Sequence, residues 1–248
     1  MIQISTPTTV NRPRLVRFIN DLGMGAPQIS HEHFTQRLGQ LFDLPGSIAV
    51  AAAQVKRPPQ APEADTRSRD QVQTLFLRGR EAIVRGALKA FLPDGGVRIR
   101  FPVPAADADP TQTLTPERYI AFYAAQQREA DFRVRQLHAD IRAAVAGCSP
   151  ELDRLCALDK VLGKQLAGPG RRFFEAVPQL LQHRFEHLLG PYRPGPADPS
   201  PDHDAWRQAL AQYRTEMQGM LLAEIETRLL PTTGLVEALA PETPQGNP

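Results

Sequence analysis

Only two cysteines occur in 248 residues, Cys148 and Cys156, too few for a disulfide framework and without the spacing of a metal site. A reducing compartment, and so the cytoplasm, is the expected address. Long apolar runs are missing too. None approaches the ~20 residues that a membrane-spanning helix needs, and the opening MIQISTPTTVNRPR lacks the apolar core of a signal peptide. A membrane-spanning protein is not expected. Alternation of apolar and polar residues is confined to Val97-Arg98-Ile99-Arg100-Phe101, and one such stretch without a partner reads as an extended loop. Sheet folds drop out and an all-α fold remains. The motifs of enzyme chemistry are lacking as well: there is no Gly-x-x-x-x-Gly-Lys loop, no Gly-x-Ser-x-Gly elbow and no Cys-His-Asn order. Neither catalytic residues nor a cofactor are expected, and the chain reads as non-enzymatic.

Proline, by contrast, is plentiful: 24 residues against 17 glycines. Because each proline fixes φ and removes a donor, clusters of them mark where helices stop. Four clusters partition the chain, at 56–66, 92–116, 191–202 and from Pro231 onward. The expected organisation is a basic helical module over 12–91, a proline-rich linker over 92–116, an antiparallel helical bundle over 117–230 and a disordered tail over 231–248.

The module opens with a helix carrying Leu15, Val16, Phe18, Ile19 and Leu22, ended by Gly23-Met24-Gly25. Ser30 caps a second helix with Phe34, Leu38, Leu41 and Phe42 on one stripe, and Ser47 to Val55 suits a short third. The strongest signal follows. Thr115-Pro116-Glu117 starts a long helix that Gly147 closes. Ile120, Tyr123, Gln127, Ala130, Val134, Leu137, Ile141 and Ala144 recur inside it at alternating spacings of 3 and 4, the seam of a coiled coil or a long bundle helix. Ser149-Pro150-Glu151 starts the next, which must fold back with Leu152, Leu155, Leu158, Leu162 and Leu166 as its apolar face. Gly168-Pro169-Gly170 is expected to end it, Pro178 to kink a third helix, and Trp206 to Ile225 to form a fourth.

The runs ISHEHFTQRLGQLFDLPGSIAVAAA and AAVAGCSPELDRLCALDKVLGKQLAGPGRRFFEAVPQLLQHRFEHLL resemble a proteobacterial domain of unknown function, family 3348. The resemblance covers roughly Arg14 to Leu189. Where that family usually carries a tryptophan-containing turn, this chain has Leu41-Phe42-Asp43-Leu44-Pro45-Gly46-Ser47-Ile48. The resemblance implies no activity, cofactor or catalytic residue. It implies a genomic setting beside OmpA/MotB-like envelope proteins with long coiled coils, and so a cytoplasmic accessory to an envelope assembly.

Charge is unevenly spread. Residues 1–100 hold 14 Lys/Arg and 8 Asp/Glu, while 101–248 hold 15 and 19. Taking 67–91 as one helix, Arg67, Arg78, Arg85 and Lys89 fall within about 20° of one line, opposite Val72, Phe76, Ile83 and Ala87. This basic ridge suits a solvated face, a partner protein, or phosphate on nucleic acid or anionic lipid. His31-Glu32-His33 reads as a helix start rather than a metal site, because residues two apart point to different sides. His183 and His187 share a face but lack a third ligand. Asp159 and Lys160 sit among leucines, where a solvated edge or a pair with Arg135 or Arg142 is expected. The resulting expectation is an adaptor or scaffold for a helical or coiled-coil protein partner, with homo-oligomerisation open and nucleic-acid binding through the ridge as the alternative.

Overall fold

The computed structural model describes residues 14–22, 51–52, 68–104, 115–193 and 202–239. Among them the structure is all-α, as expected, and contains no strand. The helices are α1 (Arg14–Asp21), α2 (Arg69–Ala90), α3 (Glu117–Val145), α4 (Pro150–Glu175), α5 (Val177–Leu189) and α6 (His203–Glu237), with a short 3-10 turn at Gly190–Tyr192. The expected helices around 30–55, the His31-Glu32-His33 triplet and Arg67 lie outside the described residues, apart from helical Ala51 and Ala52.

Local chemistry sets the helix starts. Ser68 and Gln71 form a capping box at α2, the Ser149 side chain accepts from Leu152 N–H at α4, and Asp202 accepts from Asp204 and Ala205 at α6. Gly147 follows α3 with a φ of +87°, a backbone that favours glycine. In α6 Trp206, Leu210, Tyr213, Met217, Met220, Leu221, Ile225 and Leu229 recur at helical spacing and, with Ala209, Ala223, Glu224 and Thr232, make a buried face wider than half of the helix, opposite exposed Arg207, Gln208, Ala211 and Thr215. So wide a buried face belongs against several neighbours at once, and α6 contacts each of the other described helices. α1 crosses it where Gly219 leaves room for the Phe18 ring. A Cβ at Gly219 would lie 2.7 Å from that ring.

Side-chain pairs fix the directions. Phe91 meets Phe122 while Gly79 meets Leu137, so α2 and α3 are antiparallel. His138 and Arg142 reach Asp159, Gln127 reaches Phe174 and Tyr119 reaches Phe185, so α4 and α5 both descend along α3. α6 then runs parallel to α3, pairing Tyr123 with Glu224, Asp131 with Arg228 and His138 with Thr232. Successive elements α2, α3, α4–α5 and α6 thus alternate in direction, as in the expected antiparallel bundle. A break at Gly168–Gly170 would have reversed the chain once more, but α4 runs on through Pro169, and the interruption comes at Ala176 as a bend. An interior proline costs a helix about 3 kcal/mol and each glycine about 1, a cost met by packing beyond the break, where Phe174 is held in line by its carbonyl accepting from Gln127 Nε2 at 2.8 Å and by Arg228 over its ring. Pro178 does not kink a helix but starts one, where its missing N–H costs nothing.

Three boundaries also move. α6 continues through Pro231 to Glu237 because Thr232 and Leu235 are buried, so no disordered tail begins at 231. The 92–116 segment is more than a linker, since Phe101 is buried among Phe91, Tyr119 and Phe122. Leu15, Ile19, Val72, Phe76 and Ile83 join Tyr123, Leu137, Met217 and Ile225 in one core, so the helices of 12–91 that are described do not stand apart from the bundle. On α3 the buried face is broader than a coiled-coil seam: Tyr119, Phe122 and Gln126 are buried, while Ile120, Gln127 and Ala144 are only partly so.

Candidate functional site

α4 is the least embedded of the long helices. Of its 26 residues only Cys156 is buried, and burial pushes that thiol up to about 11, well away from a reactive thiolate. Leu152 and Leu155 pack on the core, whereas Leu158, Val161, Leu162 and Leu166 are half-buried. The helix is fixed at two places and lifted between them. At the upper attachment, Asp159 accepts from His138 Nε2 at 2.8 Å and from Arg142 Nη1 at 3.0 Å, and His138 Nδ1 lies 3.0 Å from the buried Thr232 hydroxyl. Burial alone would raise the Asp159 carboxyl. The hydrogen bonds from His138 and Arg142 outweigh it and hold the group below its ordinary value.

At the lower attachment, the Arg228 guanidinium lies 3.7 Å over the Phe174 ring. Between the two, α3, α4 and α6 enclose a cleft of about 450 Å³ lined by Arg128, Asp131, Gly163, Leu166, Ala167, Arg171 and Phe174, among others. A Cβ added at Gly163, on the wall of the cleft, would meet nothing within 4 Å.

Buried polar groups underlie this cleft. Glu224 is 1% exposed, and both its oxygens are engaged. Tyr123 Oη donates at 2.9 Å and Gln127 Nε2 at 3.1 Å to one, while Arg228 donates to the other through Nε at 2.9 Å and Nη2 at 2.7 Å. Arg228 continues to Asp131 at 2.6 Å, and Asp131 to Arg135 at 2.7 Å. Desolvation, reinforced by Glu224, drives the Tyr123 hydroxyl well above its usual range. The network is satisfied rather than poised for proton transfer. Arg128 and Arg171, at the cleft's rim, make no ion pair among the described residues.

Of the four residues of the expected ridge, Arg67 lies outside the described residues. Arg78, Arg85 and Lys89 are exposed on α2, opposite buried Val72, Phe76, Ile83 and Ala87. Arg85 is paired with Glu81. Asp159 finds Arg142 as expected, with His138 in place of Arg135. His183 and His187 are both exposed, and Arg184 beside them chelates Glu216 through two 2.7 Å contacts. Among the described residues no cluster of metal-binding side chains occurs. A second, shallower groove of about 220 Å³ lies at the start of α6, lined by Phe101, Val103, Pro104, Trp206, Leu210 and Arg214 among others. The Trp206 indole N–H is buried there without an acceptor among the described residues.

Sequence reasoning missed the Glu224 network and the cleft. A Glu and an Arg four apart read as a solvated helix pair, and only the place of Glu224 on the apolar face of α6, in line with Met217 and Leu221, hinted that it would be buried.

These features define an all-helical bundle protein with a half-open flank. The family model described as "Protein of unknown function (DUF3348)" matches residues 1–241, and the chain belongs to that family. No curated protein and no solved structure matches it.

Proposed function

We propose that this protein is a non-enzymatic adaptor that docks an amphipathic helix, acidic along one edge, onto the α3–α4 flank. The observation that carries the reading is α4 itself, which buries one residue in 26 and leaves Leu158, Val161, Leu162 and Leu166 half-covered. Packing of an amphipathic face is the main source of helix stability in proteins, and this face is packed only in part. A second helix laid along it supplies apolar cover, with one side chain entering the cleft above Gly163. Arg128 and Arg171 lack ion-pair partners among the described residues, which matches carboxylates on the incoming helix. The saturated Glu224 and Asp159 clusters suit a structural role better than catalysis. The reading is that of a cytoplasmic component, in line with free Cys148 and Cys156. Nucleic acid on the α2 ridge has less support, because Glu81 offsets Arg85 in its middle.

The test is affinity capture from native cells with the tagged full chain, at low and moderate salt and with a nuclease-treated arm. The wild type should recover a helical protein whose binding survives nuclease, while Gly163→Trp, which fills the cleft, and Leu162→Asp should both lose it without loss of fold by circular dichroism. Equal recovery by all three chains, or recovery of nucleic acid alone, would refute the reading.

A further inference from the structure

The chain does not leave the bundle after α2. It turns back on itself over residues 91–101, with Leu92 N–H donating to Lys89 O at 3.1 Å, Phe101 N–H to Ala90 O at 2.8 Å and Arg100 Nη1 to Pro93 O at 2.8 Å. Gly95 makes the turn possible, because a Cβ there would sit 1.9 Å from the Lys89 carbonyl oxygen. At the base, Phe101 is locked against Phe91 and Phe122, with ring centroids 5.8 and 5.6 Å away. On the outside Leu92 is 52% exposed, Ile99 45% and Val103 58%. Lys89, Arg98 and Arg100 are exposed around them, against one exposed acid, Asp94. Lys89 and Arg98 have no ion-pair partner among the described residues.

A single exposed aliphatic side chain is ordinary. Here backbone hydrogen bonds hold Leu92 and Ile99, seven residues apart, on one small knob fringed by cations. Nucleic acid, an acidic amphipathic helix and an anionic bilayer all attract such cations. The helix needs a groove to lie in, as on the α3–α4 flank, rather than a projecting knob, and the aliphatic side chains separate the other two. Nucleic acid rewards arginine and lysine but leaves leucine and isoleucine in water. The interface of an anionic bilayer takes both, with cations among the headgroups and aliphatic groups at the acyl boundary. We infer that this knob seats peripherally on an anionic lipid surface, through Leu92 and Ile99 below and Lys89, Arg98 and Arg100 around. The contact is independent of the α3–α4 flank, so an adaptor with both surfaces would hold its partner beside a membrane.

Co-sedimentation of the full chain with phosphatidylcholine vesicles, with and without phosphatidylserine, tests this, with duplex DNA in a parallel arm. Binding is expected only to the anionic vesicles and should weaken with salt. Lys89→Gln with Arg98→Gln should lower the partition about thirtyfold, about fivefold for each charge, as expected from ~1 kcal/mol per cation beside an anionic leaflet. Leu92→Ser with Ile99→Ser should lower it about tenfold or more and leave the melting temperature unchanged. Failure to bind anionic vesicles at low salt would overturn the proposal. So would vesicle binding that is indifferent to the serine changes, or DNA binding stronger than vesicle binding and equally indifferent to them.

Discussion

Glu224 is a buried charge that is tolerated because Arg228 faces it and two neutral donors complete its shell. Such a pair adds little net stability over a well-packed apolar pair, yet breaking it strands a charge in a low-dielectric interior. Arg228→Met should therefore cost about 3 kcal/mol or more, read as a lower urea midpoint at unchanged slope. Adding Glu224→Leu in the same chain should recover much of that loss. Asp159 gives a pH signature. Its carboxyl is depressed in the folded state, so its stabilising contribution is present above the ordinary carboxylate pKa of about 3.9 and disappears as pH falls through the lower, folded value. The same sign holds for Glu216, where Arg184 and Gln212 outweigh burial. Denaturation between neutral pH and about pH 2 should show Asp159→Asn less acid-sensitive than the wild type. The Asp159–Arg142 pair was legible in the sequence because two antiparallel helices joined by a short turn must meet there. His138 was not, since a lone histidine on a helix face gives no sign of its partner.

At the scale of the element, α4 is where sequence and structure part. Its start at Ser149-Pro150 and its leucine stripe were readable, because capping and periodicity are local. Its continuation through Gly168-Pro169-Gly170 was not, because the anchor at Phe174 is supplied by α3 and α6. The lifted middle has two measurable consequences. Gly163→Ala should stabilise the protein by up to about 1 kcal/mol, the helix-propensity difference, since nothing lies within 4 Å of the new methyl. Amide exchange should be faster along 160–172 than along the central turns of α3 and α6, where Tyr123, Ile141, Met217 and Ile225 are fully buried. Protection in α4 equal to that of α6 would contradict the two-point attachment. α2 shows the opposite case: every residue expected in its core face is buried, because its pattern is a simple amphipathic stripe.

Across the whole molecule, the expected division at residue 92 dissolves because aromatic residues on both sides of it share one cluster: Phe91, Phe101, Phe122, Tyr119, Phe185 and Tyr213. Proline content marked where helices stop, but it carried no information about which pieces bury one another. A chain ending at residue 230 should consequently lose stability rather than shed an idle tail, because it discards buried Thr232 and Leu235 and the hydroxyl beside His138. Thermal unfolding followed by circular dichroism would show a lower midpoint, and no change would contradict the packing of the last turns. Trp206, finally, is the chain's single tryptophan, buried in the wall of the groove that Phe101 and Leu210 also line, with its N–H without an acceptor among the described residues. All indole emission therefore originates at one address, so the protein carries its own optical label, blue-shifted when folded and sensitive to whatever approaches the base of the knob.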